Sequence, residues 1–349
     1  TDVKILLFRD KFVFKHNGKR QFSITDAREQ TGEIGDINSI TSVGCSTKED
    51  EEQTIGKFGV GFKSVFQYTD TPSIYDDTFW FKIENYIIPT LLENDHELRN
   101  AGETLFELPF KDPEKAYPEI LQRLQNLNMP VLFLPHIQKI TWCIDGEEMI
   151  HEYSKEVIQT GERHGIKYEF CRIHEYDKNL LMYLFHRDCN TIKGKYNISV
   201  GFYVNPDGSL NIDAKGQIYC FFPTSEHFDS CFVSHAPFLL VDNRDSIKRY
   251  EDINQKFLNC IAELASDALL CLKEIGECRN SRLLESEDNE ISTTNKNILI
   301  NDNIFHILNI KSTEYSDTYL KQCYFRKVRD NKLLLNRSKR YVSINDVFS

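Results

Sequence analysis

The sequence lacks several features that would assign it at once to a class of protein. No stretch approaches the roughly 20 consecutive apolar residues that a membrane-spanning helix needs, so we expect no membrane span. The opening residues, TDVKILLFRD, do not show the order of basic, apolar and small residues of a secretory signal, which predicts a cytoplasmic protein. The net charge is −11, from 42 Lys and Arg against 53 Asp and Glu, and does not indicate a protein that binds nucleic acid through bulk charge.

Cysteine pairs of the kind that mark redox or zinc motifs are also missing. The chain contains 10 cysteines, but no Cys-x-x-Cys pair, and Cys and His do not cluster at the spacing of metal ligands. Most of the cysteines stand among apolar or aromatic neighbours, which is typical of buried, reduced thiols. We therefore interpret them as core residues and expect no zinc site.

The chain does contain enough apolar sequence for more than one packed domain. It has 349 residues, of which 40% are apolar and 27% charged. Strand-like and helix-like segments follow one another without an internal repeat, which predicts an α/β (α+β) fold. We expect a first domain over residues 1–135, a second α+β domain over residues 136–276 that ends in a long helix, and a linker with an unassigned segment over residues 277–349.

Residues 54–70, TIGKFGVGFKSVFQYTD, are the most informative stretch. Gly56, Gly59 and Gly61 are followed at once by an apolar run suited to a helix. Glycine lets the backbone approach a ligand closely, and a helix N-terminus offers unpaired N–H groups and a partial positive charge. This combination favours the binding of an anionic phosphate group. The structural alternative is a glycine turn in front of a core helix.

Apolar periodicity and turn residues predict the elements on either side of this motif. Before it, we expect a hairpin from residues 3–8 and 12–15, a turn at Asn17-Gly18, a short helix over residues 23–29, and a mobile lid over residues 31–55. After it, we expect strands at residues 73–75, 78–83, 104–108, 131–133 and 139–144.

The second half of the chain is predicted to be rich in strands and to contain one long helix. An Asn-Pro-Asp-Gly turn at residues 205–208 predicts a hairpin between strands at residues 196–204 and 210–222. Residues 253–275 show helical spacing of apolar side chains, and Gly276 is a typical stop signal. The polar residues 279–296 are expected to form a linker.

The sequence IGKFGVGFKSVF, followed by YTDTP, resembles the second glycine box of the GHKL ATPases, the superfamily of gyrase, MutL, sensor kinases and the large heat-shock chaperones. Within that superfamily the pattern is most similar to the sacsin-like branch. The resemblance implies a Bergerat-type two-layer α/β sandwich that binds ATP with Mg²⁺. It also implies that the box binds phosphate through Gly56, Lys57, Phe58, Gly59, Val60, Gly61, Phe62 and Lys63.

Three further segments stand where this resemblance implies contacts with the nucleotide. His16-Asn17-Gly18 occupies the place of a box whose Asp accepts a hydrogen bond from the adenine amino group, and a neutral imidazole is a poorer acceptor. Thr104 corresponds to the threonine of the last box, whose hydroxyl bonds adenine, usually through water. Ser46 and Lys48 resemble the start of the lid and would meet phosphate on closure, unless they belong to a solvated loop.

The second domain contains two candidate sensors of the γ-phosphate. Residues 235–247, with an apolar strand and an Arg-containing loop, resemble the sacsin-like segment that follows the ATP-binding domain. Because this domain gives a basic residue to the γ-phosphate in GHKL ATPases, Arg244 and Lys248 are candidates. The alternative for Arg244 is an ion pair with Asp242 or Asp245.

Catalysis in the superfamily uses a Glu as the general base and an Asn that helps to hold Mg²⁺, on a helix upstream of the first hairpin. The chain begins at Thr1, at the join to that hairpin, so we expect no catalytic base in it and poor hydrolysis or none. We predict an ATP-binding module that uses lid and domain closure to drive conformational change, as a homodimer or in a larger assembly. The alternative is a non-hydrolysing ATP sensor or scaffold in a defence or nucleic-acid-processing assembly.

Overall fold

The computed structural model describes residues 1–25, 35–41, 62–192, 194–241, 244–285, 307, 310–335 and 341–348. Cα packing divides the chain into two compact units. The first contains Thr1–Ser154 with Glu175–Asp177, and the second contains Lys155–His174 with Lys178–Ser349.

Within the described residues, seven strands of the sheet lie wholly in the first unit. They are β1 (Asp2–Leu7), β2 (Lys11–His16), β3 (Ser73–Tyr75), β4 (Trp80–Glu84), β5 (Ile88–Leu91), β6 (Thr104–Pro109) and β7 (Lys139–Ile144). Their order across the sheet is β7-β1-β2-β6-β3-β4-β5. The pairing of β1 with β7 is parallel, whereas the pairs from β1 to β5 are antiparallel.

The two faces of this sheet bury different side chains, because successive residues of a strand point to opposite faces. On one face, helix α1 (Asp36–Thr41) and a 3-10 helix (Phe62–Gln67) contribute to a cluster with strands β3 and β4. Its buried members are Ile37, Phe66, Ile74, Phe81 and Ile83. The opposite face buries a smaller cluster of Val13, Tyr75 and Leu105.

Helix α2 (Pro113–Gln125) follows β6 and shows clear start signals. The Asp112 side chain accepts a hydrogen bond from the Lys115 N–H group at 3.3 Å, and Pro113 stands at the first helical position, where no N–H partner is needed. On its buried side, the Tyr117 ring lies beneath the Arg9 guanidinium, 4.2 Å from its centroid.

The sheet of the second unit follows the order β8-β9-β10-β11-β14-β12-β13. The strands are β8 (His151–Arg163), whose first residues belong to the first unit, β9 (Ile166–Glu175), β10 (Lys178–Thr191), β11 (Gly194–Val204), β12 (Gln217–Cys220), β13 (Phe222–Pro223) and β14 (Phe232–His235). The described residues that follow form α3 (Asp252–Glu285), α4 (Tyr315–Asp330), β15 (Leu334–Leu335), β16 (Tyr341–Val342) and α5 (Ile344–Phe348), among others.

Helix α3 is the main support of this second sheet. It packs on β10 and β11 with one face, and α4 packs on α3. Phe257, Ile261, Leu264, Ala268 and Leu272 of α3 recur at helical spacing and are fully buried in the core. No helix in the described part of the chain is long and apolar enough to cross a membrane.

The mixed α/β class expected from the sequence is confirmed, and so are several of its elements. The first hairpin forms from β1 and β2, and the strands at 73–75 and 139–144 have the predicted bounds. The domain limits at residues 135 and 276 stay predictions. The packing limit of the first unit lies at Ser154.

Four expected elements are corrected by the structure. Residues 131–133 form a buried turn instead of a strand. Of the helix expected over residues 23–29, residues 23–25 are not helical, and residues 26–29 lie outside the described residues. The 205–208 turn forms, with the Gly208 N–H donating to the Asn205 carbonyl at 2.9 Å, but β12 then pairs in parallel with β14 instead of returning along β11. Helix α3 continues through Gly276 to Glu285, so residues 279–285 are helix and not linker.

Candidate functional site

His16 and Thr104, two residues that the sequence assigns to the nucleotide base, are direct cross-strand partners. His16 ends β2, Thr104 begins β6, and the two pair in the antiparallel register that joins these strands. Val3 of β1 is the partner of His16 on its other side. Cross-strand partners project to the same face, so the three side chains form one row. Val3 and Thr104 are buried, and His16 is half-buried.

The His16 imidazole is held in one tautomer. Its Nδ1 atom accepts a hydrogen bond from the Gly18 N–H group at 3.1 Å, and burial lowers the pKa of the ring from its ordinary value. A neutral imidazole whose Nδ1 is an acceptor has its hydrogen on Nε2. The free edge of His16 therefore presents a hydrogen-bond donor, whereas the Asp of the resembling box presents an acceptor.

The turn after β2 is tied to the start of β1 by Asn17. Its Oδ1 atom accepts from the Asp2 N–H group at 2.7 Å, and its own N–H donates to the Asp2 carbonyl at 3.3 Å. Gly18 follows, and a Cβ built there would lie 3.0 Å from His16 Nδ1. Together these contacts fix the position of the His16 ring, and Gly18 leaves room for its hydrogen bond.

A second set of contacts fixes the entry to β6, where Thr104 lies. Gly102 adopts a φ of +80° and donates its N–H to the Asp77 carboxylate at 3.0 Å. Glu103 accepts a hydrogen bond from the buried Lys15 of β2 at 2.8 Å. Lys15 directly precedes His16 on β2, and Glu103 directly precedes Thr104 on the chain. The contact between Lys15 and Glu103 therefore positions the residues next to both His16 and Thr104.

Aromatic rings connect this row to the described end of the glycine box. The ring of Phe106, on β6, lies 6.2 Å from the His16 ring and 6.3 Å from the Phe62 ring. Phe14 contacts both His16 at 6.0 Å and Phe106 at 5.8 Å. Phe62 opens the 3-10 helix and packs in the core cluster beneath it, while Lys63 beside it is half-buried. The structure thus brings His16, Thr104 and Phe62 together.

The described part of the predicted lid is helix α1, and it is anchored to the segment before it. Asp36 accepts hydrogen bonds from the Ser23 hydroxyl at 2.8 Å and from Arg20 at 2.7 Å. Phe22 donates its N–H to the buried Asp76 carboxylate at 2.9 Å and places its ring 6.1 Å from Phe106. No local sequence pattern indicates these anchors, because they join residues far apart along the chain.

Most of the glycine box lies outside the described residues, namely Gly56, Lys57, Phe58, Gly59, Val60 and Gly61. Ser46 and Lys48 of the predicted lid also lie outside them. Their roles in phosphate binding stay predictions. In the described ranges, no group of three or more His, Cys, Asp or Glu side chains is placed to hold a metal ion.

Arg244 and Lys248 lie in the second unit, on the loop between β14 and α3. Both side chains are exposed, and the Arg244 backbone has a φ of +59° with its N–H donating to the Val241 carbonyl at 2.9 Å. The Lys248 carbonyl accepts from the Asn254 side chain at 2.9 Å. A left-handed φ is uncommon for a residue with a side chain. The predicted pairing of Arg244 with Asp242 involves a residue outside the described part.

Comparison with protein families finds a match to the Sacsin domain over residues 28–83. This range contains the glycine box, helix α1, strand β3 and all but the last residue of β4. The match confirms the resemblance to the sacsin-like branch that the glycine motif indicated.

Among curated proteins, the chain is similar to the protein NO VEIN of Arabidopsis thaliana. The two are 32% identical over 146 residues, which represent 35% of this chain and 5% of that protein. The chain therefore corresponds to a small part of the length of this relative.

Solved structures with some similarity include the ATP-binding domain of topoisomerase IV from Francisella tularensis in complex with a small-molecule inhibitor, with 10% identity, 73% of this chain and 78% of that chain covered, and a TM-score of 0.35. The 43K ATPase domain of Thermus thermophilus gyrase B in complex with an aminocoumarin is 11% identical, with 85% of this chain and 66% of that chain covered and a TM-score of 0.37. The N-terminal domain of a DNA repair protein is 12% identical, with 73% of this chain and 86% of that chain covered and a TM-score of 0.32. TM-scores this low do not establish a shared fold.

Proposed function

We propose that the first unit binds ATP. The observation that carries this proposal is the convergence of His16, Thr104 and Phe62, which come from three separate motifs of the resembling family. His16 and Thr104 are cross-strand partners. The Phe106 ring connects His16 to Phe62, with 6.2 Å to the His16 ring centroid and 6.3 Å to the Phe62 ring centroid. A glycine turn that only starts a core helix would not require His16 and Thr104 to be neighbours as well.

The described residues fit the base of a nucleotide. Phe14 and Phe106 supply half-buried aromatic surface, which suits a flat heterocycle. The Nε2–H group of His16 supplies a donor and the Thr104 hydroxyl supplies either a donor or an acceptor. A donor at residue 16 complements a ring nitrogen or carbonyl of the base, so we infer that adenine is not selected through its amino group at this position.

The phosphates would be held by the glycine box. Amide groups of Gly59, Val60, Gly61 and Phe62 would point toward the β- and γ-phosphates, with Lys63 close by. A bound Mg²⁺ would share the phosphate charge. The lid, with Ser46 and Lys48, would order over the triphosphate, and Arg244 or Lys248 of the second unit would sense the γ-phosphate. Closure of lid and domain would then drive a conformational change, in a homodimer or a larger assembly.

Titration calorimetry with ATP, with and without Mg²⁺, tests the binding proposal. Gly59→Val and Gly61→Val should abolish binding without unfolding the protein, because a side chain blocks the approach of phosphate to the backbone. Thr104→Val keeps the shape of the side chain and should weaken binding about tenfold through the loss of one hydrogen bond. Thr90→Val, in strand β5, is the matched control. Unchanged affinity in both glycine variants would rule out the phosphate-binding role.

A turnover assay separates the two forms of this function. Release of phosphate in proportion to bound ATP would identify an ATP-driven machine. Binding without release would identify an ATP sensor or scaffold, the second form of the proposal. Both outcomes retain His16 and Thr104 as base contacts, because hydrolysis depends on other groups.

A further inference from the structure

Cys189 and Cys260 bring two thiols together from different elements of the second unit. Cys189 lies near the end of β10 and Cys260 lies in α3. The Cys189 thiol donates a hydrogen bond to the Cys260 sulfur, with 2.6 Å between the Sγ atoms. Cys189 is 2% exposed, whereas Cys260 is half-buried.

Rigid elements hold the two sulfurs in place. Arg187, two residues before Cys189 on β10, forms an ion pair with Asp267 of α3 at 2.5 Å. Tyr196, the cross-strand partner of Cys189, packs its ring 5.4 Å from Phe257 of α3. Contacts on both sides of the thiol pair thus join the same strand and helix, and the approach of the sulfurs does not depend on a loop.

The hydrogen bond between the two thiols makes them chemically unequal. The hydrogen bond from Cys189, together with the nearby cations of Lys256 and Arg187, lowers the pKa of Cys260. The same hydrogen bond and burial raise the pKa of Cys189. The thiolate is the nucleophile in thiol chemistry, so Cys260 is the sulfur that attacks first.

A cavity of about 1240 Å³ in the same unit is lined by residues that neighbour both cysteines in sequence, although neither cysteine is among its lining residues. Its lining includes Asn190 and Thr191, which follow Cys189, and Ile253 and Lys256, which precede Cys260 on the helix. Lys256 is one helical turn from Cys260, and the cavity lining contains both cations and carboxylates.

We propose that Cys189 and Cys260 form a reversible intramolecular disulfide when the protein meets a low-molecular-weight disulfide such as oxidised glutathione. The Cys260 thiolate attacks one sulfur of the reagent, breaks its S–S bond and releases one glutathione thiolate. Cys189 then loses its proton to water and attacks the Cys260 sulfur, which releases the second glutathione. Two thiols are oxidised, one reagent disulfide is reduced to two glutathione molecules, and β10 becomes covalently joined to α3.

Peptide mapping of the whole folded chain tests the proposal. The fully reduced protein is incubated with oxidised glutathione, its remaining thiols are alkylated, and the digest is analysed by mass spectrometry. The expected result is a linked peptide pair with Cys189 and Cys260, lower in mass by two hydrogens than the two reduced peptides, which disappears after reduction with dithiothreitol. Alkylation of both cysteines after the oxidation step would overturn the proposal. This experiment needs no variant and so does not depend on the folding of one.

Variants test the order of attack. Cys189→Ser should trap a stable mixed disulfide of glutathione on Cys260, because the second thiol is absent. Cys260→Ser should leave Cys189 unmodified under the same conditions, because that sulfur is buried and its thiol is the weaker acid. Cys171→Ser, another buried strand cysteine, is the control and should form the same Cys189–Cys260 link as the unmodified chain. Glutathione on Cys189 in the Cys260→Ser protein would overturn the assigned order.

Discussion

At His16 the Nδ1 atom accepts from the Gly18 N–H group, and the ring keeps its hydrogen on Nε2. From the sequence, His16 is expected to be a weaker acceptor than Asp. The tautomer changes that expectation, because the free nitrogen is a donor and not an acceptor. His16 thus presents a donor where the Asp of the resembling box would present an acceptor.

Replacement of His16 by Asp should raise the preference for ATP over GTP about tenfold, the effect of one hydrogen bond gained by the adenine amino group. The added charge should weaken both nucleotides equally, so the ratio of the two dissociation constants is the informative quantity. Competition calorimetry measures it. His136→Asp introduces the same charge at an exposed residue and should leave the ratio unchanged. Equal ratios in the His16→Asp and unmodified proteins would place His16 away from the base.

His235 in the second unit is a histidine with a purely structural environment. Burial lowers its pKa to about 4, and its Nδ1 atom accepts from the Phe221 N–H group at 3.2 Å. The unfolded chain binds this proton more tightly, with a pKa near 6.5. The stability that the neutral ring contributes is therefore complete above pH 6.5 and is lost as the pH falls from about 6.5 to about 4.

In the unmodified protein, the free energy of unfolding should fall as the pH is lowered from about 6.5 to about 4. Replacement of His235 by Asn should make this fall smaller by up to about 3 kcal/mol, because Asn does not bind the proton. The amide oxygen of Asn can still accept the hydrogen bond from the Phe221 N–H group. Urea unfolding at a series of pH values measures this slope. His227→Asn is the matched control, because His227 is exposed and should leave the slope intact. A slope that is the same in both variants would show that His235 does not titrate in this range.

At the scale of elements, the local sequence predicted what depends on neighbours and missed what depends on distant contacts. The alternation of Val3, Ile5 and Leu7 and the start of the long helix have short-range causes, and the structure has both. Gly276 looked like a helix end, but α3 continues through it to Glu285. At residues 205–208 the turn residues were informative, whereas the parallel pairing of β12 with β14 is a long-range choice that turn chemistry does not determine.

In the candidate site, too, short-range features could be predicted from the sequence and long-range contacts could not. The order of the boxes along the chain could be predicted, since each is a short motif. The pairing of His16 with Thr104 and the hydrogen bond from Phe22 to Asp76 could not, because sheet register depends on the whole unit. The corrected segments at 23–25 and 131–133 are short, and at such lengths tertiary contacts outweigh propensity.

Asp267 joins three elements of the second unit. Its carboxylate pairs with Arg187 of β10 at 2.5 Å and with Lys327 of α4. Burial alone would raise its pKa, but the hydrogen bonds from Lys327 and Arg187 outweigh this effect and lower the pKa. The carboxylate is thus more stable in the folded protein than in the unfolded chain, and it links α4 and β10 through α3.

Replacement of Asp267 by Asn should lower the free energy of unfolding by about 1 to 3 kcal/mol, because two partly buried cations lose their partner. Urea unfolding with an unchanged m-value measures this loss. Glu274→Gln is the control on the same helix. Glu274 is 39% exposed and pairs with His164, so its replacement should cost less than about 1 kcal/mol. Equal losses in the two variants would contradict the central role of Asp267.

At the scale of the whole molecule, the proposed function assigns different tasks to the two units. The first unit contains His16, Thr104 and the glycine box, while the second contains Arg244 and Lys248. If only the first unit bound ATP, the nucleotide would stabilise that unit alone. If the second unit senses the γ-phosphate, Mg·ATP should also order the loop between β14 and α3, and Mg·ADP should not.

Hydrogen exchange measured over the whole chain distinguishes these cases. With saturating Mg·ATP we expect slower exchange of β2 and of the start of β6 in the first unit, and of residues 244–250 in the second. Lys248→Ala should remove the protection of residues 244–250 and leave that of β2 intact, because the base site does not use this lysine. Lys215→Ala, at another exposed position of the second unit, should retain the protection of both β2 and residues 244–250.

Protection confined to the first unit in the unmodified protein would mean that ATP binding there is not transmitted to the second unit. The nucleotide would then act as a local ligand and not as a switch, since a ligand shifts a conformational equilibrium only by its difference in affinity for the two states.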